Sequence, residues 1–158
     1  MNSVDTQYNM TTQQQFEQAI ALCRDIFVKK MYDYGTAWRV LRIPSLTDQI
    51  YIKANRIRSL QTKGVSKVGE GIVPEFIAIV NYAIMGLIQL ELGVADGTNK
   101  DDLHDERMAE AYDKQVEAAL QLMLCKNHDY DEAWRLMRVS SYVDFILTKV
   151  FRTKQIEE

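Results

Sequence analysis

The chain has 158 residues, 47% of them hydrophobic and 26% charged, and carries a formal net charge of −3. Those proportions are those of one soluble globular domain with enough apolar residues for a core. They exclude a general electrostatic pull toward nucleic acid or anionic lipid, so any anion site must be local.

The opening segment, MNSVDTQYNMTTQQQ, lacks the basic and apolar regions of a signal peptide. From Phe16 onward, Ala19, Ile20, Cys23, Ile26, Phe27 and Met31 recur at spacings of three and four, which predicts an amphipathic helix. The pattern runs through the DYG segment to Leu41, with a kink expected at Gly35. Pro44 lacks an amide hydrogen and restricts its predecessor, so a break is expected there. SLTD at Ser45–Asp48 then reads as a capping box that restarts a helix, continuing to about Gln61.

TKGVSKVGEG is a glycine-rich connection, and a third helix is expected from near Pro74 to Gly93. Its apolar run, FIAIVNYAIMGLIQL, is shorter than the roughly 20 residues that span a bilayer. It also contains Asn81 and Gln89, so it reads as a buried helix, and no membrane association is expected. ADGTNKDDLHD is a polar linker, and no segment reads as a strand. Cys23 and Cys125 stand in helix-like patterns without metal-ligand spacing. Both read as buried small hydrophobes in a reducing compartment, hence a cytoplasmic location.

DYGTAWRVLR, beginning at Asp33, returns as DYDEAWRLMR, beginning at Asp129, an offset of 96 positions. In the same register Ser45, Asp48, Ile50, Lys53 and Arg56 fall on Ser141, Asp144, Ile146, Lys149 and Arg152. Duplication is the simplest account. The expected fold is an all-α helical bundle built from an internal duplication, its second copy lacking the third helix. Residues 1–95 form the first helical repeat unit and 96–107 a polar linker; 108–158 form a partial second unit packed on the first as one compact domain. An array with an unequal end exposes apolar surface, so a homodimer is expected.

Charges repeated at fixed places need a reason. In the second helix Leu46, Ile50, Ile57 and Leu60 form an apolar seam with Lys53 at its centre. Either the stem packs while the ammonium snorkels, or the lysine is a partly buried cation aimed at a carboxylate or phosphate. Arg56 lies one turn on and can share its anion. Asp33 reads as the lysine's acid partner, a metal ligand or a capping acid. Trp38 and Trp134 read as core anchors or as a wall for a nucleobase, and Arg39 and Arg42 as surface ion pairs. Glu75 complements a helix N-terminus, whereas Glu70 is a bare loop acid. The acidic stripe Glu106, Glu110, Asp113, Glu117 is not repeated in the first copy and reads as a solvated face. P-loop, nucleophile-elbow, zinc and dinucleotide motifs are all absent.

K..DYG.AW, then I..K..RI..L, then GE before an apolar helix containing NYA, resembles the first nucleotide modification associated domain family. That family is considered related to the all-α, MazG-like nucleoside triphosphate pyrophosphohydrolases. The matching positions are Lys30, Asp33, Tyr34, Gly35, Ile50, Lys53, Arg56, Ile57, Leu60, Glu70, Asn81 and Tyr82. The resemblance implies carboxylates holding magnesium, or manganese, against a triphosphate gripped by lysine and arginine. Glu70 and Asp33 would be catalytic; Glu70, Glu75 and Asp33 would hold the metal; Lys53, Arg56 and Lys30 would bind phosphate. Asp129, Lys149 and Arg152 are the counterparts in the second repeat. The pattern departs at Ala78, where family members usually carry an acid.

The expected function is nucleotide binding with pyrophosphohydrolase-like chemistry, triphosphate to monophosphate and pyrophosphate. The alternative is a non-catalytic nucleotide-binding or assembly module. The partner is a nucleotide or another phosphate-bearing small molecule. RNA or DNA binding through KANRIR is a weaker reading, because the surrounding charge is acidic and stacking aromatics are not interleaved.

Overall fold

The computed structural model describes residues 10–64 and 71–158. Among them are five α-helices and no strand: α1 (Thr12–Tyr34), α2 (Ile43–Lys63), α3 (Val73–Leu92), α4 (Met108–Tyr130) and α5 (Val139–Glu157). Short 3-10 turns lie at Ala37–Val40, Lys100–Leu103 and Ala133–Leu136. The protein is an all-α bundle, as its periodicity predicts. The starts of α1 and α4, of the first and third 3-10 turns, and of α2 and α5 all stand 96 positions apart.

Helix ends differ from the sequence reading for identifiable reasons. α1 opens on a capping box: the Thr11 hydroxyl accepts from the Gln14 amide, and the Gln14 side chain accepts from the Thr11 amide. The helix stops at Tyr34 rather than Leu41, because Gly35 turns to φ 74° and ψ −156°, backbone space open almost only to glycine. α2 begins at Ile43, before the expected restart, with Arg42 as its cap and no side-chain cap bond. Pro44 sits in the first turn, where its missing N–H would have had no partner anyway. Ser45 is therefore inside the helix, its amide reaching the Arg42 carbonyl at 3.0 Å, and Ser141 does the same with Arg138 at 3.0 Å. Neither serine caps.

α3 is the centre of the bundle and packs on α1, α2 and α4, while α5 packs on α2. At 20 residues it is long and apolar enough by length and composition to cross a membrane. Its buried residues divide between two cores. Ile84 and Ile88 join Phe27, Met108 and Tyr112 on the side of α1 and α4, and Ile79 joins Ala54, Ile57, Val143 and Leu147 on the side of α2 and α5. Fully burying each Ile, Leu, Val, Phe or Met side chain among these contributes roughly 1.5–3 kcal/mol. Asn81 ties the first core together: its amide donates to the Cys23 carbonyl at 3.0 Å, and the buried Tyr112 hydroxyl donates to its oxygen at 2.8 Å. Burial pushes the Tyr112 phenol well above its ordinary range, so it stays a donor. Cys23 is buried as expected; Cys125, contrary to expectation, is exposed, as is Lys29, its counterpart in α1.

The two halves meet reciprocally. Arg58 pairs with Asp144 at 2.6 Å, and Lys154, the counterpart of Arg58, pairs with Asp48, the counterpart of Asp144, at 2.8 Å. Such exchange of partners is the mark of a two-fold-like contact. The turns follow the same logic. Thr36 in the first turn is held to the approach to α4, and its counterpart Glu132 is held to Thr12 at the start of α1.

The Thr12 hydroxyl, followed by Arg135, holds the Glu132 carboxyl down to about 2. A depressed acid favours the folded state above the carboxyl's ordinary range, and that contribution is lost as pH falls through the folded value. An NMR titration is expected to place the Glu132 midpoint at about 2 and, in Thr12→Val, closer to an ordinary glutamate. An unchanged midpoint in the variant would break the assignment of the cause.

Candidate functional site

The seam lysine finds a carboxylate. α2 presents Lys53 and Arg56 on one face, three residues apart, and the first turn of α3 presents Glu75 to both. Glu75 Oε1 lies 3.0 Å from Arg56 Nη1, and Oε2 lies 3.4 Å from Lys53 Nζ. Glu75 is only 2% exposed, whereas the side chains of Lys53 and Arg56 are 26% and 35% exposed. Oε2 is buried and makes no hydrogen bond among the described residues, so its charge is answered across the longer distance to Lys53. Three expected site residues thus come together, with one of the three expected metal ligands facing two of the three expected phosphate cations.

Beside this group α1, the first 3-10 turn, α2 and α3 enclose a cleft of about 500 Å³. Lys30, Tyr34, Gly35, Lys53, Asn81 and Tyr82, six of the twelve positions named for the family resemblance, all line it. Trp38 lines it too while its ring meets Phe27 edge-on at 6.1 Å, so the tryptophan is both core anchor and cleft wall. Ala78 lies in the lining, which leaves an apolar surface where the family pattern would put an acid. The result is an apolar, aromatic cleft with two amines at its edge. Its volume falls in the range of small-molecule sites, ~300–1,000 Å³.

The remaining expected residues are placed differently. Asp33 is exposed, does not line the cleft, and makes no hydrogen bond or ion pair among the described residues. Glu70 lies outside the described residues. In the second repeat Asp129 faces His128 at 3.3 Å, Lys149 is exposed, and Arg152 reaches Gln155 at 3.4 Å. Among the described residues no group of three or more His, Cys, Asp and Glu side chains is placed to hold a metal ion. A magnesium shell wants several oxygens in octahedral geometry. The described donors do not fit one, since both oxygens of Glu75 face cations and Asp33 stands away from the cleft.

Two buried polar residues adjacent in sequence to cleft-lining ones differ from what the sequence suggests. Arg39 reads as a surface ion pair but is 8% exposed, and its Nη1 donates to the Gly93 carbonyl at 2.9 Å, satisfying the C-terminal end of α3. Thr36 is fully buried; its amide donates to the Leu103 carbonyl at 2.7 Å and its hydroxyl to the Asp102 carbonyl at 2.8 Å. The same hydroxyl accepts from the Asp105 amide at 2.9 Å. A threonine after a glycine that ends a helix is the only local signal, and it does not name its distant partner.

The fold and cleft define an all-α bundle whose motif residues converge on one concave, cation-edged surface. The chain belongs to the nucleotide modification associated domain 1 family, whose model matches residues 30–90 and 126–158. The two matched segments begin at Lys30 and at its counterpart Lys126. None of the curated proteins and none of the solved structures matches the chain.

Proposed function

We propose that the cleft binds a nucleotide, with the base against the aromatic walls of Trp38 and Tyr82 and the phosphates on Lys30 and Lys53. The observation that carries this reading is the convergence on one cleft of motif residues drawn from three separate stretches of sequence. The chemistry is complementary: aromatic faces accept any base, and an ammonium makes a charge-assisted bond to phosphate. The finer reading is magnesium-dependent hydrolysis of a nucleoside triphosphate to monophosphate and pyrophosphate. It rests on the family resemblance and on Glu70.

Calorimetric titration with a panel of nucleoside mono-, di- and triphosphates, in chelator and then in magnesium or manganese, tests both readings beside an assay for released pyrophosphate. Lys30→Ala and Lys53→Ala are each expected to weaken triphosphate binding about tenfold, the size of one lost charge-assisted contact. Absence of binding to any nucleotide would sink the proposal. Metal-dependent pyrophosphate release that Glu70→Gln abolishes would establish the hydrolase. Metal-independent binding without turnover would leave the binding module.

A further inference from the structure

The second repeat keeps open a face that the first repeat has covered. In the first repeat α3 lies over α1 and α2, so Cys23, Phe27 and Ile57 are buried at 5%, 2% and 0% exposure. Their counterparts Ala119 and Thr153 are exposed, and Met123 is half-buried. Around them Leu122, Trp134 and Ile156, counterparts of the half-buried Ile26, Trp38 and Leu60, stand 58%, 37% and 71% exposed. The reciprocal pairing of Arg58 with Asp144 and Lys154 with Asp48 places this face as the two-fold-like image of the covered one.

The charges on this face specify what fits it. Lys149 and Arg152 repeat the spacing of Lys53 and Arg56, but both are exposed. Neither makes an ion pair among the described residues; Arg152 reaches only the neutral Gln155. Lys53 and Arg56 have the carboxylate of Glu75, delivered on the first turn of an apolar helix. A second copy laying the same face against its image would set Lys149 and Arg152 against like charges, which costs rather than stabilises.

We propose that the α4–α5 face docks an apolar helix of a partner protein that carries a carboxylate in its first turn, the chemistry with which α3 covers α1 and α2. Helix-in-groove recognition of this kind draws affinity from the apolar stripe and register from the ion pair. Leu122, Trp134 and Ile156 meet the stripe; Lys149 and Arg152 receive the acid.

The probe is a synthetic peptide of residues 71–93, labelled at one end and carrying a polyethylene glycol tail for solubility, titrated by anisotropy against the full chain. Saturable binding is expected, weakened about tenfold or more by Leu122→Asp and by Lys149→Glu. Both positions are exposed, and unchanged thermal melting of each variant confirms that its fold is intact. A peptide carrying Glu75→Lys is expected to bind the Lys149→Glu protein better than the wild type, which generalised stickiness would not produce. No binding, or binding that ignores both substitutions and the charge swap, would overturn the proposal. Concentration-dependent self-association abolished by Leu122→Asp, without peptide binding, would also overturn it and assign the face to a second copy.

Discussion

Replacing Gly35 with alanine is expected to lower unfolding stability by roughly 3–5 kcal/mol, combining backbone strain of about 1–3 kcal/mol with overpacking of similar size. The Cβ would stand 2.2 Å from the Leu103 carbonyl oxygen and 2.7 Å from His104 Nδ1, at a φ of +74°. Backbone cannot move aside as a side-chain tip can, so the linker must leave the turn. That displacement takes with it the three hydrogen bonds joining Thr36 to Asp102, Leu103 and Asp105. Gly64 supplies the control, because it has φ +71° and, among the described residues, nothing within 4 Å of its Cβ position. Gly64→Ala is expected to cost only the strain, about 1–2 kcal/mol. Chemical denaturation of both variants separates conformation from contact; equal losses would show that the linker exerts no grip. Because Tyr34, Gly35 and Trp38 line the cleft, Gly35→Ala is also expected to weaken nucleotide binding, whereas Gly64→Ala is not.

The same glycine shows where sequence reasoning stops. DYG and DYD differ by one residue, and the periodicity on either side is the same, so a kink in one long helix was the natural expectation. The counterpart Asp131 ends α4 at φ 55° and ψ 43°, a left-handed conformation that aspartate tolerates. Gly35, at ψ −156°, takes one that aspartate does not. What separates them is the linker lying against Gly35, a contact with residues some 70 positions away. Helix identity was legible because the apolar spacing is local. The ends of α3 were legible because Pro74 and Gly93 are strong punctuation. The start of α2 was not, because Pro44 serves as well in a first turn as in a break, and only the fold chooses. The charged residues divide in the same way. Lys53 in the middle of an apolar seam pointed either to a snorkelling stem or to a nearby anion. It did not reveal that the anion is Glu75, nor that Arg39, with an equally ordinary surface signature, would turn inward to the end of α3.

Glu75→Gln is expected to cost about 2–4 kcal/mol, the larger share of what is lost when one partner of a buried pair is removed. The estimate sits toward the low side of that effect because Lys53 and Arg56 are partly exposed and water screens them. Glutamine keeps the shape and one acceptor, so the loss reads the charge rather than a cavity. Lys53→Met should cost less, on the order of 1 kcal/mol, because Glu75 then keeps Arg56 at 3.0 Å, the shorter of its two contacts. The order of the two losses tests the geometry: a greater loss for Lys53→Met would mean that the carboxylate answers chiefly to the lysine. The effect on nucleotide binding separates the two readings of the site by sign. With Glu75 as the internal counterion, Glu75→Gln releases Lys53 toward the cleft, and affinity for a triphosphate in chelator holds or rises severalfold. With Glu75 as a magnesium ligand, affinity in chelator is unaffected and affinity in magnesium falls. The cleft lies against Lys53 and includes Pro74 but not Glu75 in its lining. A carboxylate in that position would act on a phosphate bound as proposed through the lysine it holds, so the first of these outcomes is the expected one.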